Sequence, residues 1–311
     1  MSGYASATLD AYRETNCTPL RLASWIAARV PRGKGAVPRA LGRLLKPWIH
    51  HSIRTRRGAL LPVVPEALDV FTSMSRQGGS WDDWVFRAID AAAAPGAVVY
   101  DIGANVGFIT VELAYKRRAD SVRVVSFEPR PELAANIRLA GELNALDNVR
   151  VMELAVGATD GTIPFYCTSH SVHSTALQPH EGARRVHVRQ AAIDTLVESG
   201  EIPPPSCIKI DIEGYELEAL KGAVRTIRRF RPWILFEYSW GTIWGGTKAE
   251  EYEAFFSSLD GYELCSLSGH RLGPEVWSLR VGAHRDVVAR PSSVGGPATR
   301  ESRTPAGNVD A

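Results

Sequence analysis

Cysteine is scarce in this chain: four residues in 311, Cys17, Cys167, Cys207 and Cys265, with no CxxC spacing. That scatter supports neither a zinc site nor a disulfide framework, and a reducing, cytoplasmic setting is the simpler expectation. Net charge is nearly absent too, +2 from 36 basic and 34 acidic residues. No global basic field therefore argues for nucleic acid as a partner. No apolar run approaches the roughly 20 residues that cross a bilayer, and the N-terminus lacks the continuous apolar core of a signal peptide. What remains is an ordinary globular composition, 45% hydrophobic and 23% charged. Its length fits one large domain with appendages, or two small ones.

Acidic residues are missing altogether between positions 15 and 65, where ten Lys and Arg stand. Residues 1–57 read as a basic, helical N-terminal extension. Its expected helices are 20–30 (LRLASWIAARV) and 40–53 (ALGRLLKPWIHHSI), the second kinked or broken at Pro47. The extension is open to three readings: a helical lid packed on the domain, a peripheral contact of Trp25 and Trp48 with an anionic membrane, or disorder. At the other end, 289–311 is rich in Pro, Gly and Ser and reads as a disordered tail. A domain over 58–288 lies between them.

Within it, 98–110 (VVYDIGANVGFIT) sets the organisation. Val98, Val99 and Tyr100 read as a buried strand with Asp101 at its end. Gly103, Ala104, Asn105 and Gly107 then crowd a tight turn before an apolar-periodic helix from Phe108. A strand–turn–helix of this kind places free N–H groups and a positive helix end beside a ligand, and glycines let the backbone approach it closely. A dinucleotide fingerprint needs G-x-G-x-x-G. Here Asn105 stands at its second glycine and Phe108 at its third, and Asp101 would repel a pyrophosphate. The acid suits a cationic group, such as the amino end of S-adenosylmethionine.

A second buried strand, 122–128 (VRVVSFE), ends in Glu128 about 25 residues after the turn. An acid at that place in a doubly wound sheet accepts hydrogen bonds from ribose hydroxyls. Three blocks now stand in order: DIGANVGFIT at 101–110, FEPRPELAANIRLAGELNALDNVRV at 127–151 and KIDIEGYELEALKGA at 209–223. In this order and spacing, the chain over roughly 58–281 resembles the FkbM family of S-adenosylmethionine-dependent methyltransferases. The resemblance implies a class I (Rossmann-like) methyltransferase fold, with a mostly parallel seven-stranded sheet and an antiparallel last strand. It also implies O-methylation of a secondary metabolite, a sugar or a lipid-linked glycan, without naming the acceptor.

The residues themselves alternate strand and helix after the turn, which argues for a parallel sheet. The reading is helix 108–117, strand 122–128, helix 131–143 and strand 149–156, with Ala155 and Val156 either lining an adenine pocket or simply packing the core. Strands at 161–167 and 186–191 follow, flanking a polar loop that carries His170 and His173. A helix capped by Asp194 comes next, then strand 207–210, helix 215–221 and strand 233–238. Helix 250–259 and an antiparallel pair at 262–267 and 276–281 close the sheet. Before the turn, a helix capped by Ser80 and carrying Trp81, Trp84, Val85, Phe86 and Ile89 packs on the sheet.

The second chemical centre is 206–214 (SCIKIDIEG). Lys209 interrupts an apolar strand and must reach an edge or a partner. Asp211 ends that strand and Glu213 precedes the next helix, so the two can orient or deprotonate an acceptor hydroxyl, and close like charges raise one pKa. Two simpler roles compete: Asp211 holding the cofactor's amino end and Glu213 capping the helix. His173 is a further candidate base or acceptor ligand. Glu237 adds a third acid to the rim, so a metal-assisted variant with Mg²⁺ on Asp211, Glu213 and Glu237 is conceivable, but no metal site is assigned. A nucleotide-dependent oxidoreductase and a non-catalytic cofactor-binding module are the rival functions.

Overall fold

The computed structural model describes residues 52–292, except 65–66, 68–69, 72, 75–76, 168–174, 177–182, 240–245 and 280–283. Most of the N-terminal extension, the 293–311 tail, and His170 and His173 lie outside the described residues. Short strands β1 (Ser52–Arg54) and β2 (Leu60–Pro62) form an antiparallel hairpin. The stretch expected to be helical as far as 53 is therefore extended at its end, and the boundary expected at 57/58 falls in the hairpin's turn.

The main sheet has seven strands, in the order β11-β12-β10-β9-β3-β4-β5. They are β3 (Val98–Ile102), β4 (Arg123–Phe127), β5 (Val149–Met152), β9 (Cys207–Ile210), β10 (Trp233–Ser239), β11 (Tyr262–Cys265) and β12 (His284–Pro291). The first five are parallel to their neighbours, while β12 runs antiparallel between β10 and β11. This is the class I Rossmann-like arrangement that the sequence implies. β3 and β9 are buried at every position, as central strands covered on both faces must be.

Helices cover both faces. Helices α1 (Asp83–Ala92) and α2 (Phe108–Arg117) pack with Val99, Val124, Cys207, Leu235 and Val288. Helix α3 (Pro131–Leu143), opened by its proline, adds Leu133 and Ala140 to the same core. On the other face, Ile208, Ile210, Ile234 and Phe236 meet α4 (Ile193–Glu198), α5 (Glu216–Lys221), α6 (Val224–Phe230) and α7 (Ala249–Ser257).

Four expectations need correction. The strand expected over 149–156 breaks after Met152, and β6 (Ala155–Val156) joins β7 (Gly161–Cys167) and β8 (Arg184–Ala191) in a separate three-stranded sheet. The stretch expected as the last strand begins as a 3₁₀ turn at Pro274–Trp277, opened by proline; the last strand comes later and runs to Pro291, past the boundary expected at 288. Asp82, in left-handed conformation, stands at the N-cap of α1 in place of Ser80. Asp194 does not cap its own helix. Its carboxylate accepts the N–H groups of Arg225 (3.0 Å) and Thr226 (2.7 Å), so it caps α6 from a neighbouring element.

Beneath β10 lies an aromatic stack. The Phe236 ring sits 5.2 Å from Phe256 and 5.8 Å from Tyr252, and Tyr238 and Trp277 meet edge-on at 5.2 Å. Phe236 has no exposed surface. Phe236→Ala should cost about 3–5 kcal/mol of folding stability by denaturant unfolding. A loss below about 1 kcal/mol would mean that the stack closes over the cavity and adds little to packing.

Candidate active site

The order in which strands are added reverses between β3 and β9, and open α/β sheets bind ligands at the carboxyl ends of strands at such a point. A cleft of about 280 Å³ lies there. On one side, the 103–107 turn leaves β3. Asn105 adopts φ +51°, and its N–H donates to Glu128 Oε2 at 2.9 Å. Glu128 Oε1 accepts the N–H of Arg130 at 3.0 Å. Burial pushes the Glu128 carboxyl up to about 7, against the pull of those N–H groups. Gly103 is required by close approach: at φ +80°, a Cβ there would stand 2.0 Å from the carbonyl oxygen of Asp211.

That contact joins the turn to the end of β9, where Lys209 is buried. Its ammonium lies 3.3 Å from Asp101 Oδ1 and 3.4 Å from Asp211 Oδ2, and donates to the Gly103 carbonyl at 3.2 Å. Burial alone would lower the lysine pKa; Asp101, then Asp211 and Asp82, raise it above the ordinary value. Asp101 also accepts the Thr110 hydroxyl at 2.6 Å.

Beyond Asp211 the loop is shaped by Glu216. Its Oε1 accepts the N–H groups of Ile212 and Gly214, both at 3.0 Å, and so draws residues 212–214 around the start of α5. Glu213 is held at φ +55°, and its carbonyl accepts the Thr175 hydroxyl at 3.0 Å. Six non-glycine residues among those described have positive φ, and three of them, Asp82, Asn105 and Glu213, line this one cleft. Each such conformation costs energy and persists where surrounding structure enforces it, which is typical of binding sites.

The cleft is rich in acid. Asp82, Glu128, Asp211, Glu213 and Glu237 line it, with Lys209, Arg130 and His284 as cationic or titratable partners. Asp286 faces Glu237 across β10–β12. Burial, then Asp211 and Glu216, pushes Glu213 up to about 8. Burial, then Asp211, raises Asp82 to about 6. Glu237 and Asp286 are raised by burial, with repulsion from Asp211 next. Among the described residues no group of three His, Cys, Asp or Glu is arranged to hold a metal ion, so the three acids that the sequence suggested for Mg²⁺ do not converge.

Of the residues expected to hold a cofactor, Gly103, Ala104, Asn105 and Glu128 line the cleft. Ala155 and Val156 line a small apolar hollow that shares Gly103, Pro129, Phe165 and Ile212 with it. Asp101 and Gly107 do not line it. Asp101 is fully buried behind Lys209, and Gly107, at φ +89°, makes room for Ile137 of α3, 2.8 Å from where a Cβ would stand. Asp211 and Glu213 meet in the cleft as expected, while His173 lies outside the described residues. Asp82, Trp81 and His284 were missed because they come from distant stretches that only the fold brings together. Glu216 had a signal, the repeated acids of EGYELE, that looked like ordinary helix surface.

A resident ligand with an adenosine and a charged end fits these residues. The hollow beside Ala155 and Val156 is apolar, Glu128 is held by two backbone donors, and Asn105 Oδ1 is buried without a partner.

The chain matches the family described as Methyltransferase FkbM domain over residues 101–264. It is similar to hexuronic acid methyltransferase AglP of Haloferax volcanii, 28% identical over 144 residues, covering 46% of this chain and 57% of that protein. The chain thus spans little more than half the length of this curated relative. Among solved structures it is similar to Methyltransferase FkbM from Methylobacillus flagellatus (19% identity, 63% of this chain and 44% of that one, TM-score 0.40). A TehB-like SAM-dependent methyltransferase from Corynebacterium glutamicum is another (11% identity, 72% and 95%, TM-score 0.41).

The crowded acids give a test of stability. A carboxyl whose folded pKa is raised holds its proton more tightly when folded, so stability is lost as pH rises through that folded pKa. With Asp82 raised from the ordinary 3.8 to about 6 and Glu213 from 4.5 to about 8, Tm of the ligand-free protein should fall between about pH 4 and pH 8. Glu237→Gln removes one of the repelling groups and should flatten that slope, as read by differential scanning calorimetry. A Tm that rises over this range would show that the acids are relieved by partners.

Proposed function

The chain belongs to the methyltransferase FkbM domain family, and from that premise we propose that it carries the methyl group of S-adenosylmethionine to a sugar hydroxyl. The observation that carries the reading is one cleft lined by two chemically different groups. Glu128 is held by backbone N–H groups beside the glycine turn, while Asp211, Glu213 and Glu237 are crowded acids. The name of the hexuronic acid methyltransferase supports a sugar among the possible acceptors. The oxidoreductase reading loses ground to the family match and to Asn105 at the second glycine position.

In this reading Glu128 accepts the ribose hydroxyls. Its two oxygens already hold Asn105 and Arg130 N–H groups, and each keeps a lone pair free. Gly103, Ala104 and Asn105 bring backbone close to the ligand, and Ala155 and Val156 flank its flat ring. Bound there, S-adenosylmethionine would supply a methyl group on a sulfonium centre, which departs as a neutral thioether. The crowded acids favour that positive charge electrostatically. Asp101 acts indirectly, by fixing Lys209.

The acceptor hydroxyl must lose its proton as its oxygen forms the new bond to carbon. Glu213 is the group for this: its carboxyl lies near neutrality, where a general base is most effective, and its backbone is fixed by Thr175 and by Glu216's hold on the neighbouring N–H groups. The alignment of the two substrates in one cleft supplies the rest.

Two substitutions separate binding from transfer. Glu128→Ala forfeits charge-assisted hydrogen bonds worth about 1.5–3 kcal/mol each, so Kd for S-adenosylmethionine by calorimetry should rise roughly tenfold or more. An unchanged Kd would sink the ribose assignment. Glu213→Gln should leave cofactor affinity within about threefold and lower methyl transfer about a hundredfold, near 2.7 kcal/mol of barrier. Transfer at close to the wild-type rate would remove Glu213 as base and turn attention to Glu237 or His173.

A further inference from the structure

Four carboxyl groups at the acceptor end, on Asp82, Glu213, Glu237 and Asp286, form no hydrogen bond or ion pair with any described residue. The cations beside them are few. Lys209 is already engaged by Asp101, Asp211 and the Gly103 carbonyl. His284, at the start of β12, is exposed. No described arginine lines this end of the cleft; Arg130, at the Glu128 end, is tied to Glu132 at 2.7 Å.

We infer that the acceptor ring seated here is a neutral or amino sugar without a carboxylate, and that Asp82 and Asp286 enforce this choice. The inference rests on the methyltransferase reading above and deepens it. Unpartnered carboxyl groups accept hydrogen bonds from hydroxyls and pair with an ammonium group. Asp82 is exposed and Glu213, Glu237 and Asp286 are half-buried, so a carboxylate brought among them adds like charge that solvent only partly screens. Trp81 lines the same cleft beside Asp82 and packs on the apolar core, giving an aromatic face against which a sugar's C–H groups can lie.

The source of these residues is informative. The family match covers 101–264, so Asp82, Trp81, His284 and Asp286 all come from outside it. Glu213 and Glu237 belong to the shared part. Asp82 is held in a left-handed conformation at φ +45° and lines the cleft.

The test compares three acceptors of one stereochemistry that differ only in charge: methyl β-glucoside, methyl β-glucosaminide and methyl β-glucuronide. Transfer of labelled methyl from S-adenosylmethionine is measured on the full chain, and cofactor Kd is measured separately by calorimetry. The glucoside or glucosaminide should exceed the glucuronide by roughly tenfold or more in kcat/KM. Asp82→Asn and Asp286→Asn should each narrow that ratio about threefold or more, with cofactor Kd within about twofold. Equal or better use of the glucuronide overturns the inference. So does a protein that binds the cofactor yet methylates none of the three, or variants that leave the ratio unmoved. A protein that does not bind S-adenosylmethionine at all overturns the methyltransferase reading instead.

Discussion

A buried ammonium between two carboxylates holds this molecule's centre together. Lys209 lies in a strand that is otherwise apolar, directly beside Asp101 in the parallel register of β3 and β9. Removing the amine would leave Asp101 as an uncompensated charge in a fully buried place, which is typically worth several kcal/mol. The same amine reaches Gly103 and Asp211, so one side chain sets the distance between the ligand-binding turn and the loop that carries Glu213. Hydrophobic burial makes the sheet, but this ion set decides how its two halves meet at the cleft.

Charge elsewhere in the cleft is arranged differently. The carboxyl groups of Asp82, Glu213, Glu237 and Asp286 have no partner among the described residues, and two of these residues, Asp82 and Glu213, sit at positive φ. A folded chain tolerates such a cluster because its core is large and continuous on both faces of the sheet. The repulsion is a standing cost that any positive charge brought among these acids would reduce. Glu216 and Thr175 hold the backbone of residues 212–214, which carries Glu213.

Much of this was legible in the sequence, for physical reasons that differ by element. Helices 108–117 and 131–143 and strand 207–210 stand as read, because their apolar periods and bounding glycine or proline leave little choice. Glu128 and Asp211 were visible as acids at strand ends, and Glu213 as the acid before the next helix. The break at Glu153 was not visible, since 149–156 is apolar enough to pass as one strand while its end turns away to pair with β8. Asp194 looked like a local cap and serves a helix 30 residues on, which no local pattern encodes. The final strand was misplaced because Val276 and Trp277 look like strand residues and are buried by a 3₁₀ turn. Asp101 was seen as a ligand contact, whereas the sheet's register hands it to Lys209.

The position of β12 has a consequence for how the chain comes together during synthesis. It lies between β10 and β11, and among the described residues β11 pairs with no other strand. Until residues 284–291 have emerged from the ribosome, Tyr262–Cys265 has no neighbour to receive it, and β10 presents an open edge. His284 and Asp286 travel on that same late segment. The nascent protein can thus bring together its glycine turn, Glu128 and Glu213 before His284 and Asp286 arrive. Such an interval leaves an unpaired edge that is prone to improper association, and it ends only when the antiparallel strand slots home.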